Sequence, residues 1–522
     1  MQQYQRSFYR NFSLSRAFDK VANKSLVRST GYINGQWISD SNDKNGSFDV
    51  LNPANGECIA KLPRMSKAGT ELSISAAAES FKKWKLTSAK ERSKLLKQLA
   101  DLMVANREDL ATILTLEAGK PFKESLGEIA YATSFVEFYS EEAKRINGEV
   151  LQSPFGQKRL LALRQPVGPA ALITPWNFPS AMITRKLAPA LAAGCTAVIK
   201  PAEATPLSAL AICALVEEAG IPPGVVNCLT VGREEVAEVG ALLCHSSAIR
   251  KLSFTGSTPV GKWLMRECAS TVKRISLELG GNAPFIVFDD ADLDVALAAV
   301  MSSKFRNAGQ ACIATNRLLV QEGVYERFAA MLTEAVSSKL VCADGFHASS
   351  TVGPLINRAA VSKLASHVAD CVARGGTVTT GGQECVVLNN ARTSGNDSQD
   401  KGCFFEPTVI TGATTEMLPF KQETFGPLIP MISFKTEEEA IAIANDTPFG
   451  LAGYACTKDL GRAWRVSEAI DAGMVGINDG AISLEMTPFG GVKESGIGRE
   501  GGIYGIEEYL EVKYVCMNLG FH

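Results

Sequence analysis

Between residues 168 and 280 the chain alternates short apolar, β-rich runs (170–174, 196–200, 225–230, 251–255 and 274–277) with helical stretches around 180–193, 205–219, 233–243 and 258–269. Strands separated by a helix cannot close as hairpins. They pair in parallel, each helix crossing back over the sheet, and such a sheet needs cover on both faces. The spacing therefore predicts an α/β domain with a doubly wound, Rossmann-type sheet and a ligand crevice at the carboxyl ends of its strands. A second alternation after Gly281, with strands expected at 285–288, 317–320, 409–411 and 429–434, predicts another α/β unit.

Residues 66–145 carry a helical period instead. Leu95, Leu96, Leu99, Leu102 and Met103 share one face, behind a Ser88/Glu91 capping pair, and read as purely structural. The stretch 389–402, rich in Asn, Ser, Asp and Gly without periodicity, reads as an exposed loop. At 522 residues the chain is too long for one small core and implies two or three domains.

Charge gives no footprint for nucleic acid or a membrane surface: 21% of residues are charged and the net charge is −2. No apolar run is long enough to span a bilayer. The 13 cysteines include no CxxC pair and the 4 histidines stand far apart, so neither a disulfide framework nor a metal site is expected. The first 28 residues differ, with Arg6, Arg10, Arg16, Lys20, Lys24 and Arg28 against a single Asp19. An Arg-rich, acid-poor start of this kind matches a mitochondrial transit peptide, the alternative being an untargeted basic tail in the cytoplasm.

Cys312 stands apart from the other cysteines. It lies in FRNAGQACIATNR (305–317), a turn of small residues between a helical and a β-like stretch, where Gly309 and Ala311 leave the sulfur open and backbone N–H groups can favour thiolate. Alone it would read as a small buried hydrophobe. Its company is TPWNFPSAMITRK at 174–186, KPAE at 200–203, FTGSTPVG at 254–261 and LELGGN at 277–282. With these blocks in this order the chain, from about 31 to 514, resembles the aldehyde dehydrogenase superfamily, and within it the succinate-semialdehyde dehydrogenase branch.

The resemblance and the chemistry assign roles together. Oxidising an aldehyde requires a tetrahedral carbon that can expel hydride, and a cysteine nucleophile at 312 makes one. The resulting oxyanion needs fixed donors, for which the Asn177 amide and the Cys312 backbone N–H stand. A thioester then remains, and Glu278, closing an apolar run before Gly280, is the candidate base for its hydrolysis. GSTPVG lacks the GxGxxG fingerprint, yet follows a strand and opens a helix as a phosphate site does. The resemblance places Gly256, Ser257 and Gly261 around a pyrophosphate, Lys200 and Glu203 at the adenosine ribose, and Trp176, Leu279, Glu423 and Phe425 along the rest of the cofactor. Glu203 would repel a 2′-phosphate, which favours NAD over NADP.

A semialdehyde with a far-end carboxylate requires cationic donors, and Arg185, Arg306 and Ser483 match the positions that hold it in that branch. The expected reaction is NAD-dependent oxidation of succinate semialdehyde to succinate in 4-aminobutyrate breakdown, the alternatives being glutarate semialdehyde or a broader aldehyde range. The family pattern implies a cofactor domain over 29–147 and 167–280, a catalytic domain over 281–480, and a bridging element at 148–166 and 496–514 pairing subunits in a homodimer or homotetramer. Two positions depart from it. Ala314 stands where many relatives carry a second cysteine, and Ala311 where threonine is frequent, which argues against redox gating at the nucleophile.

Overall fold

The computed structural model describes residues 15–38, 46–385, 387 and 402–520. The expected loop at 389–402 lies, apart from Gly402, outside these residues, as do Arg6 and Arg10. Two large sheets organise the chain. The first has eight strands in the spatial order Gln36–Ile38, Gly31–Ile33, Val226–Cys228, Ala197–Lys200, Ala170–Ile173, Lys251–Thr255, Arg274–Glu278, Gly496–Ile497. Its five central strands are parallel. The outer ones are antiparallel and come from distant sequence.

Alternate side chains of the central strands enter opposite cores. Ala170 and Leu172 pack into one cluster, Ala171 and Ile173 into another. The strand is therefore apolar throughout, because both faces are dry. The second sheet has seven strands and obeys the same rule: Phe285 and Val287 face one core, Ile286 and Phe288 the other. The predicted strands of both sheets are present, within two residues of their expected ends. The short strands Thr377–Thr380, Ala452–Cys456 and Met474–Ile477, which complete the second sheet, have no distinctive period and are not foreseen.

A third, antiparallel sheet joins Glu149–Leu151, Lys158–Pro166 and Leu510–Asn518. It leaves Val150, Val512 and Tyr514 more than half exposed. At the other end of the chain, the segment from Ser15 belongs to the folded body. Phe18, Val21 and Leu26 join the largest core cluster, and Asp109 accepts the Ala22 and Asn23 N–H groups at 2.8 Å each. Phe18→Ala should therefore cost about 3 kcal/mol or more of unfolding free energy in a denaturant titration, as for any large core aromatic; a neutral effect would mean that this segment does not pack.

Candidate active site

The five parallel strands of the first sheet run third, second, first, fourth, fifth in chain order, so the winding reverses between Ala170–Ile173 and Lys251–Thr255. A crevice must open at the carboxyl ends of these two strands. The loop after the first carries Trp176 and Asn177; the loop after the fourth carries Gly256 and Ser257. Both line a cavity of about 280 Å³, together with Leu279, Gly280, Glu423 and Phe425. A much smaller cavity, about 20 Å³, is lined by Tyr131, Phe178, Arg185, Arg306, Ser483 and Phe489. Cys312 lines both.

The turn that delivers Cys312 is strained. Asn307, Ala308 and Gly309 are all left-handed, with φ of 52°, 52° and 71°. For the two non-glycine residues this costs roughly 1–2 kcal/mol each. Gly309 has no substitute, because a Cβ there would stand 2.3 Å from the Gly426 carbonyl oxygen. Hydrogen bonds hold the turn: Asn307 N donates to Glu124, and its Nδ2 donates to the carbonyls of Asn177 (2.9 Å) and Gln310 (3.3 Å).

Burial, partly opposed by Arg185, pushes the Cys312 thiol up to about 12. The sequence reading expected local N–H groups to favour thiolate. Desolvation outweighs them here, so the thiol is neutral near pH 7 and needs a base. Asn177 Nδ2 gives one N–H to the Gln310 carbonyl at 2.9 Å and keeps a second to donate. Glu278 ends the strand Arg274–Glu278, buried, with neither oxygen hydrogen-bonded among the described residues. Burial, then the neighbouring Glu500, raises it well above the carboxylate range, although Arg185 and Lys186 oppose this. Burial also disfavours charge on Glu500, but Lys186 and Arg185 overcome that and keep it ionised. Glu278 lines neither cavity; its Oε1 stands against Gly490.

Around the larger cavity, Trp176 and Phe425 meet edge to face at 5.4 Å. Glu423 accepts the Gly281 N–H at 3.0 Å, and burial pushes its carboxyl to about 7. Lys200, Glu203 and Gly261 are not among the lining residues. Lys200 is buried at its strand end, its amine on the Pro201 carbonyl at 3.1 Å, and Glu203 lies half-buried in the turn beyond. Gly261 sits inside the helix Thr258–Cys268, where a Cβ would come 2.3 Å from Leu279 Cδ2, so its smallness serves helix–strand packing.

In the smaller cavity Arg185 is almost fully buried, 3.0 Å from Glu500 and 3.9 Å above the Phe489 ring. Its Nε still lacks a hydrogen-bond partner among the described residues. Arg306 lies over Phe178 and forms no ion pair among the described residues. Ser483 shares a hydrogen bond with Tyr131. The helix Phe122–Glu142, read from sequence as purely structural, supplies Glu124, Glu128 and Tyr131 to the site. The i, i+4, i+7 spacing that puts Glu124, Glu128 and Tyr131 on one helix face was the available signal. Among the described residues no cluster of His, Cys, Asp and Glu could hold a metal ion, and no helix is long and apolar enough to cross a membrane.

A doubly wound sheet whose crevice holds a cysteine and an asparagine amide, with a buried glutamate at the end of its fifth parallel strand, defines an enzyme of the aldehyde dehydrogenase class. The chain belongs to the aldehyde dehydrogenase family, whose model matches residues 37–515. It is 50% identical to the mitochondrial succinate-semialdehyde dehydrogenase of Arabidopsis thaliana, over 96% of this chain and 91% of that one. It is equally identical to a 3-sulfolactaldehyde dehydrogenase of Pseudomonas putida, over 95% and 99% of the two chains. The crystal structure of an E. coli NADP dependent enzyme superposes with a TM-score of 0.90 at 49% identity, covering 96% of this chain and 100% of that one.

A thiol so raised should react slowly with iodoacetamide in the cofactor-free enzyme. Its rate should climb close to tenfold per pH unit from about 7 to about 9, without a plateau, because only the thiolate attacks. A plateau in that range, read by mass spectrometry of the Cys312 peptide, would show that the thiol is already activated.

Proposed function

We propose that this enzyme oxidises succinate semialdehyde to succinate, within a wider class of small aldehydes carrying an anion at the far end. The observation that carries this reading is the junction at Cys312: a cavity of about 280 Å³ on the side of Gly256 and Ser257, and on the other a small one lined by Arg185, Arg306 and Ser483. Both relatives compared above are named for aldehydes with a distal anion, a carboxylate in one case and a sulfonate in the other. Glutarate semialdehyde, one methylene longer, is the competing substrate.

The larger cavity fits the nicotinamide half of a dinucleotide, its pyrophosphate end open toward Gly256 and Ser257. An added Cβ at Gly280 would stand 3.0 Å from Glu423 Oε2, so close approach requires glycine there. Ser257, at the start of the helix Thr258–Cys268, makes no capping bond, leaving first-turn N–H groups free for a phosphate. Gly256 and Ser257 would hold the pyrophosphate, Lys200 and Glu203 the adenosine ribose, and Trp176, Leu279, Glu423 and Phe425 the nicotinamide end. When bound, the dinucleotide accepts the hydride that leaves the substrate carbon.

The chain's own groups do the rest. In its ionised form Glu278 takes the thiol proton as Cys312 Sγ bonds to the carbonyl carbon, and the oxygen becomes an oxyanion held by Asn177 Nδ2 and the Cys312 N–H. Removing one such donor costs about 3–4 kcal/mol. Once hydride has left, a thioester joins substrate to Cys312. Glu278, having released the first proton to solvent, takes a proton from water as hydroxide adds to the acyl carbon. The carbon–sulfur bond then breaks, releasing the acid, and the departing sulfur takes the proton held by Glu278. Arg185 and Arg306 hold the far-end anion so that the aldehyde carbon reaches the sulfur.

The exposed antiparallel sheet fits a homo-oligomer, dimer or tetramer, as the site where subunits pair. The basic start of the chain fits a mitochondrial leader whose removable part lies ahead of Ser15, where the packed residues begin.

Arg306 gives the cleaner test of the substrate, since Arg185 also pairs with Glu500. Arg306→Ala should cost succinate semialdehyde about 2 kcal/mol or more in kcat/KM, roughly thirtyfold. Butanal, with the same carbon count and no carboxylate, should be unaffected or improved; equal losses on both would reduce the reading to an unspecified aldehyde. For the cofactor, NAD should be preferred over NADP by about tenfold or more, roughly 1.4 kcal/mol. Glu203→Ser should narrow that ratio, and an unchanged ratio would show that Glu203 does not read the ribose.

A further inference from the structure

Lys120 and Glu128 form an ion pair whose side chains are each only 1% exposed. Such a pair is a poor source of stability, because desolvation offsets most of the attraction and an apolar pair of equal volume does as well or better. Its remaining contacts show another use. Lys120 Nζ donates to the Asn177 carbonyl at 2.8 Å and sits 4.2 Å from the Phe178 ring centre. Glu128 gives one oxygen to Lys120, and with the other accepts N–H bonds from Ser180 (2.9 Å) and Ala181 (3.3 Å).

Those two N–H groups open the helix Pro179–Ala193, which has no side-chain cap of its own. The carboxylate therefore acts as its cap from another helix. The chain is clamped on both sides of the turn, at the 177 carbonyl and at the 180 and 181 N–H groups. What remains free is the Asn177 side chain, and the Gln310 carbonyl takes one of its N–H bonds. The second N–H is then directed by geometry fixed at three points.

We propose that Lys120 and Glu128 are positioning residues that hold the Asn177 main chain so that its amide points at the developing oxyanion. This rests on the reading of Asn177 as oxyanion donor. Neither residue touches substrate or cofactor; both act through Asn177. A displacement of about 1 Å at such a donor loses on the order of a hundredfold in rate, so the pair matters to turnover even though its net worth to folding is small.

A double-mutant cycle separates positioning from general support. Steady-state rates on succinate semialdehyde with saturating NAD should be measured for Lys120→Met, Asn177→Ala and the double variant. Lys120→Met should lower kcat about tenfold to a hundredfold with KM for NAD within about twofold, whereas in the Asn177→Ala background it should change kcat less than about twofold. Glu128→Gln, which keeps the volume and an acceptor for the helix, should give a smaller loss with the same dependence on Asn177. It carries the test if Lys120→Met does not fold. Lys120→Arg should restore part of the rate. Equal losses in the two backgrounds would make the pair merely structural and overturn the proposal while leaving Asn177 in its role. Unimpaired turnover in Asn177→Ala alone would remove the oxyanion reading and the proposal with it.

Discussion

The partly buried position of Cys312, against the core of the second sheet and facing the crevice of the first, is the constraint on which the rest of this site depends. A sulfur exposed enough to ionise freely would react with any electrophile. One desolvated until its thiol is pushed up to about 12 stays neutral until a base and a substrate arrive together. That protection carries a requirement: the proton must have somewhere to go, and the oxyanion formed afterwards must find donors already in place, since the same dry surroundings would otherwise destabilise it. On the proposed mechanism Asn177 and Glu278 meet these needs from the first sheet, while Cys312, the proposed nucleophile, comes from the second. That chemistry would then exist only where the two sheets meet.

That division explains the strain beside the nucleophile. To carry Cys312 from the end of one helix to the mouth of the other unit's crevice, the chain takes three successive left-handed residues. The strain persists because contacts from outside the turn over-determine it. Glu124 takes the Asn307 N–H, and Asn177 and Gln310 take its side chain. Nucleophile turn and oxyanion turn are thus tied directly to each other, and the helix Phe122–Glu142 braces both.

The parallel sheets were legible in the sequence because strands buried on both faces leave uninterrupted apolar runs, and those runs are hard to mistake when helices separate them. The outer strands were not, since three-residue strands such as Gly31–Ile33 gain their pairing from tertiary neighbours and leave no period. At the site, Cys312, Asn177 and Glu278 announced themselves by chemistry out of place: a cysteine in a small-residue turn, a carboxylate after an apolar run. Lys120 and Glu128 did not, because charged residues around a helix start ordinarily face water. Only the structure shows them buried. The acidity of Cys312 was misjudged for the same reason, local N–H groups being visible in sequence and desolvation not.

The ionisable groups around the nucleophile share their counter-charges. Arg185 and Lys186 face Glu500, which they hold below the usual carboxylate range, and Glu278, which burial and Glu500 together raise. Arg185 Nε has no hydrogen-bond partner among the described residues. A low-dielectric site of this kind favours a negative charge that enters beside it. Two can: an anion at the far end of a substrate, or the ionised form of Glu278 once the thioester needs water activated. On the proposed reading, substrate recognition and base strength draw on the same cation, so an anionic substrate that occupies Arg185 also raises Glu278 further. On the same reading Arg306, outside this cluster, would let the enzyme hold a carboxylate without surrendering all of Arg185 to it.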